Sequence, residues 1–172
     1  MDAAARSDRA EGTARTTLER ISERELVVTR SFAVPARVVF EAWTRPELFQ
    51  RWWVPKSFGI TLISYEADIR SGGAYRLVFG HPASEQPMTF FGRYIEVTPN
   101  TRLVWTNDEA GENGAVTTAT FEEGEGTTQV VVHELYPSKA ALDEAMASGS
   151  IGGWSEQFEA LDDLLGTPDA RV

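Results

Sequence analysis

The stretch from Gly149 to Leu165, GSIGGWSEQFEALDDLL, constrains the chain most, because it is the one long amphipathic helix the sequence can write. Ile151, Trp154, Phe158, Leu161 and Leu165 recur at steps of three and four, which places them on one stripe, with Glu156, Gln157, Glu159 and Asp163 turned away. Such a stripe has to be buried. Leu26 to Tyr136 reads mostly as β-strand, so the partner is a sheet, and the rings of Trp154 and Phe158 call for a broad contact. The pattern predicts an α+β domain in which a curved antiparallel sheet grips the last helix.

Segment by segment, the sequence fills in that sheet. Glu25 to Val34 is rich in β-branched and aromatic residues and stops at Pro35, which predicts the first strand. Two short helices follow it. Val38, Val39, Ala42 and Trp43 recur at helical spacing up to Pro46, and a second turn carries Leu48, Phe49, Trp52 and Trp53, read as a packing surface. Ile60 to Ile69 alternates and turns at Ser71-Gly72-Gly73 into Ala74 to Phe79, a hairpin whose glycines supply unusual backbone angles. A loop through His81, Pro82 and Pro87 precedes strands at Thr89–Val97, Arg102–Asn107, Ala115–Glu122 and Thr127–Leu135, giving about seven in all. Ser138 caps an Ala-rich helix reaching Ala147.

Residues 1–24 carry five acids and five arginines and little apolar surface, so they are expected to form a mobile tail. The domain is then expected over residues 25–166, with 167–172 as a second tail. A chain of 172 residues can bury such a core without staples, and it contains no cysteine, which excludes thiol chemistry and fits a cytoplasmic protein. Acids outnumber Lys and Arg by 26 to 16, and the net charge of −10 argues against nucleic acid and anionic membrane as partners. No apolar run approaches the roughly 20 residues that span a bilayer, and the N-terminus lacks the apolar segment of a signal peptide.

Catalytic signatures are sparse. With His81 and His133 as the only histidines, no metal site is expected. No phosphate-cradling loop is present, and no cofactor is expected. Ser148-Gly149-Ser150-Ile151-Gly152 only approximates a nucleophile elbow, since it begins with Ser and follows no strand of an alternating α/β chain. Glu66 and Asp68, beside a turn, read as solvated.

The ordered segments VFEAWTRPELFQRWW, ADIRSGGAYRL, FFGRYIEVTPNTRLVWT and GGWSEQFEALDDLL together resemble the SRPBCC superfamily, and most closely the domains related to the activator of the heat-shock-90 chaperone ATPase. The resemblance runs from about Glu25 to Leu165. It implies the helix-grip fold of START and birch-pollen-allergen domains, the architecture already reached from periodicity. It also implies a cavity between helix and sheet for lipids, polyketides or hormones, with polyketide cyclases and antibiotic self-resistance proteins among the relatives. The chaperone activators carry a further N-terminal domain, where this chain has a short segment.

Three functions follow as expectations. The first is a non-catalytic module enclosing a small hydrophobic or aromatic molecule, with Tyr75, Leu77, Phe79, Phe91, Trp105, His133, Trp154 and Phe158 as candidate binding residues. The same rings would also suit a solid core. The second is an enzyme such as a cyclase or hydratase using His133 or a pocket acid as base; a lone histidine between valines also suits a structural role. The third is an interaction protein that binds a chaperone through its acidic surface.

Overall fold

The computed structural model describes residues 16–54 and 56–166. Eight strands form a single antiparallel sheet in the order β1-β2-β8-β7-β6-β5-β4-β3. They are β1 (Thr17–Arg20), β2 (Glu25–Phe32), β3 (Thr61–Ala67), β4 (Ala74–His81), β5 (Ser84–Thr98), β6 (Arg102–Thr106), β7 (Val116–Gly124) and β8 (Thr127–Leu135). Helices α1 (Ala36–Thr44) and α2 (Pro46–Phe49) follow β2, and α3 (Lys139–Ala147) and α4 (Gly153–Leu165) follow β8. This is the expected helix-grip arrangement, with the two short helices in their predicted place.

Three expectations need correcting. Residues 1–15 and 167–172 lie outside the described residues, but Thr17–Arg20, assigned to the tail, pairs with β2 from Thr17↔Thr29 to Arg20↔Leu26. Backbone pairing to an open sheet edge needs no apolar face, which is why composition missed this strand; its residues are mostly exposed. The loop expected from His81 past Pro87 is a tight turn, and β5 runs from Ser84 through Pro87. Proline is tolerated there because β6 pairs only with Tyr94 to Thr98, leaving that side of early β5 without a ladder. The turn at Gly72-Gly73 uses its glycines differently: Gly72 has φ of +88°, whereas a Cβ on Gly73 would collide with the Asp68 carbonyl oxygen.

The two halves of the sheet differ. β2, β8 and β7 pair in unbroken register, and their inward faces carry Leu26, Val28 and Phe32, then Val130 and Val132, then Ala119 and Phe121. Against this face pack α1 and α4, which also touch each other. Register shifts between Leu62 and Ser64, Phe79 and His81, and Tyr94 and Glu96 break up the β3 to β6 half. Irregularities of this kind bend strands, so this half curls away from the helix that the other half supports.

The α4 stripe is buried as the periodicity predicts, with Ile151, Trp154, Phe158, Leu161 and Leu165 all in the core. Gln157, expected on the outer side, is also buried and donates its amide to the Trp53 carbonyl. A buried amide without a partner would cost about 1 to 3 kcal/mol, so the bond explains why it is tolerated. Arg30 is likewise buried on the inward face of β2, its Nη2 3.2 Å from Asp162 Oδ2 on α4.

Trp43 on α1 is the hub of the interior. Its ring lies 4.9 Å from Trp52, 5.6 Å from Phe121, 6.0 Å from Trp105 and 6.3 Å from Phe158. Trp52 is fully buried and donates its indole N–H to the Ala42 carbonyl at 2.8 Å, a packing role as expected.

Candidate functional site

Between α4 and the curled half of the sheet lies a cavity of about 580 Å³ that opens to solvent. Its volume is within the range for small-molecule sites. One wall comes from the helices: Trp154 and Gln157 on α4, Ile151 and Gly149 in the segment between α3 and α4, and Trp53 and Val54 after α2. Phe79 on β4, Met88 and Phe90 on β5, and Trp105 on β6 form the opposite wall. The floor is polar, made of Asn107, Glu109, Thr117, Glu134 and Tyr136. A second recess of about 60 Å³ shares Trp53, Phe90, Trp105 and Asn107 with the cavity and is otherwise lined by groups such as Trp43, Tyr65, Tyr75 and Tyr94.

The polar groups are arranged by strand parity. On β8, Thr128, Val130, Val132 and Glu134 share the inward face, so the alternation that buries two valines also delivers a carboxyl to the cavity. Removal from water pushes the Glu134 carboxyl above its ordinary value, opposed by hydrogen bonds from Trp154 and from the Thr117 hydroxyl at 3.3 Å. Glu109 is also held above its ordinary value, chiefly by burial, while its Oε1 accepts the Phe91 N–H at 3.1 Å. Asn107 donates its amide to the Ala115 carbonyl at 2.8 Å and to Thr117 Oγ1 at 3.0 Å.

In the recess, burial raises the Tyr65 hydroxyl to about 12 and those of Tyr75 and Tyr94 further, so all three stay neutral. Tyr75 donates to the Thr106 carbonyl at 2.6 Å. The Trp43 indole N–H, buried in the same region, has no partner among the described residues.

The eight candidate residues separate into three groups. Tyr75 and Leu77 line the recess, Phe79 and Trp154 line the cavity, and Trp105 lines both. Phe158 is fully buried 5.7 Å from Phe32, in the core behind the wall. His133 and Phe91 face the other way. His133 Nε2 lies 2.9 Å from Glu25 Oε1 on the outer face, and Phe91 is 43% exposed in a shallow groove beside Arg76 and Arg93. Both are candidate binding residues by sequence, and the structure turns both away from the cavity. Their neighbours Glu134 and Phe90 hold the inward positions.

Sequence reasoning also missed Glu109, Asn107 and Trp53. Trp53 was read with Trp52 as packing, but it follows the end of α2 and turns its ring to the cavity, 5.6 Å from Trp154. Among the described residues no group of three or more His, Cys, Asp or Glu could hold a metal ion, and no helix is long and apolar enough to cross a membrane.

Several solved structures share this architecture. A protein from Nitrosomonas europaea superposes with a TM-score of 0.77 at 24% identity, covering 88% of this chain and 99% of that one. One from Rhodobacter sphaeroides gives 0.78 at 23%, covering 87% and 97%. One from Chromobacterium violaceum gives 0.67 at 26%, covering 81% and 96%. These neighbours have the SRPBCC-type fold. No curated protein sequence matches the chain significantly. The model of the family described as activator of Hsp90 ATPase homolog 1-like protein matches residues 33–166, from the end of the first long strand to the end of α4, and the chain belongs to that family.

Proposed function

We propose that this protein is a non-catalytic binding module that encloses a small hydrophobic or aromatic molecule between α4 and the curled half of the sheet. The observation that carries the reading is the cavity of about 580 Å³ walled by Trp53, Phe79, Phe90, Trp105 and Trp154. A domain whose helix stripe and sheet were meant only to pack would interdigitate there, because interiors are close-packed and leave few voids larger than water. Lipids, polyketides and other natural products are the ligand classes of that size and character, and sequestration, transport or self-resistance are the roles such capture serves. Native mass spectrometry of the freshly purified protein, with a titration of the neutral fluorophore N-phenyl-1-naphthylamine, tests it. A retained small-molecule mass or saturable uptake of the fluorophore is expected. Absence of both would defeat the reading.

A second reading is a small-molecule enzyme of the cyclase type, favoured by one observation: a carboxyl, Glu134, whose affinity for its proton is raised inside an apolar cavity. That is the environment of a general acid. The discriminating result is a change in the mass of a captured ligand on incubation with the protein, lost in Glu134→Gln.

A further inference from the structure

We propose that the molecule held in this cavity carries a protonated amine, with its cationic nitrogen directed to Glu134 and Glu109 and its hydrocarbon body against the tryptophan and phenylalanine walls. The inference rests on the binding-module reading and names the ligand class for the same site.

Charge is the first argument. The described lining of the cavity includes two carboxyl groups and no lysine, arginine or histidine. Among the described residues Glu134 receives side-chain hydrogen bonds from the neutral donors Trp154 and Thr117, and the neighbouring His133 sits on the opposite face of the same strand. Glu109 has Asp108 beside it and backbone N–H groups as partners. Neither acid therefore finds a lysine or arginine within the fold among the described residues, although an ionised carboxyl in an apolar wall is costly unless paired. A ligand that supplies the missing cation gains a charge-assisted hydrogen bond. An anionic ligand would meet both acids.

The walls point the same way. Trp105, Trp154, Phe90 and Tyr136 line the same space as the two acids, and the faces of such rings attract a cation. Aromatic walls with a carboxylate floor form a cage for an ammonium group, while the volume leaves room for an apolar body several rings in extent. The net charge of −10 adds a field that draws cations toward the molecule.

The test titrates the full chain calorimetrically with two probes of matched shape, 1-(aminomethyl)naphthalene, which is an ammonium at neutral pH, and 1-ethylnaphthalene. Each is measured on the unsubstituted protein, on Glu134→Gln and on Glu109→Gln, with circular dichroism to establish that both variants are folded. We expect the amine to lose about tenfold or more in affinity in Glu134→Gln, the scale of one charge-assisted contact, while 1-ethylnaphthalene binds as well as before. A smaller loss for the amine is expected in Glu109→Gln. If 1-ethylnaphthalene binds but the amine does not, or if the amine is indifferent to both substitutions, the inference is overturned and the binding module stands. If neither probe binds while the protein retains a small-molecule mass or takes up N-phenyl-1-naphthylamine, the inference is overturned and the binding module stands; if none of these is seen, the binding-module reading falls with it.

Discussion

The indole rings of Trp43 on α1 and Trp154 on α4 stack with centroids 6.3 Å apart and planes 23° from parallel. The contact joins the first helix to the last and sets one edge of the cavity, because Trp154 also lines the open space while Phe158, one turn further along, does not. The two residues should therefore respond differently to truncation. Phe158→Ala removes a fully buried ring from a packed interior and should cost about 3 to 5 kcal/mol in urea unfolding. Trp154→Ala should cost less, since one side of the ring already lacks protein partners, yet it should weaken uptake of N-phenyl-1-naphthylamine more than Phe158→Ala does.

Glu134 should make the protein less stable at neutral pH than its amide counterpart. Burial raises the carboxyl above its ordinary 4.5, so the folded state holds the proton more tightly than the unfolded chain. Its contribution is fully present below the unfolded value and is lost as pH rises from 4.5 through the folded value. Glutamine cannot ionise. Glu134→Gln should melt higher than the unsubstituted protein at neutral pH, and the two melting temperatures should converge on acidification below the ordinary carboxylate range.

Glu25 and His133 carry the opposite sign. They sit diagonally across the β2–β8 pairing on the outer face, and the hydrogen bond from His133, followed by that from Ser22, holds Glu25 below its ordinary value. The stability this contributes is present above 4.5 and disappears as pH falls through the folded value. His133→Ala should remove part of it above that range and leave the affinity for N-phenyl-1-naphthylamine unchanged. Loss of probe binding would put His133 in the site after all.

Gly73 should tolerate no side chain. A Cβ there meets the Asp68 carbonyl, which is backbone and cannot move aside, and the Arg70 carbonyl lies 3.1 Å away. Gly73→Ala should destabilise by about 1 to 3 kcal/mol, a loss read from the thermal midpoint.

β1 covers the edge of β2, and Arg20 ties it to α3 through Asp143 at 2.7 Å. Deleting residues 1–20 should lower the melting temperature modestly and expose an edge whose backbone groups can pair with another chain. Light scattering should then show association beyond that of the full chain, growing with protein concentration; a deletion variant that associates no more than the full chain and is equally stable would make β1 dispensable.

What the sequence determined by itself was the architecture. The α4 stripe and the alternation of β2, β4 and β8 are local periodicities that survive whatever the chain packs against, and they were enough to place a gripped helix, a bracket of two short helices and one shared face for Tyr75, Leu77 and Phe79. The tertiary structure decided which face of a uniformly apolar strand turns inward. At Val130, Val131 and Val132, and again at Phe90 and Phe91, both parities read as hydrophobic, and a slip of one residue exchanges every side chain between cavity and solvent. That single ambiguity moved His133 and Phe91 to the outside and hid Glu134 and Phe90 inside. Glu109, Asn107 and Trp53 come from connections between elements, where no period exists to be read, and they meet only because the register shifts curl one half of the sheet around the space that α4 leaves open.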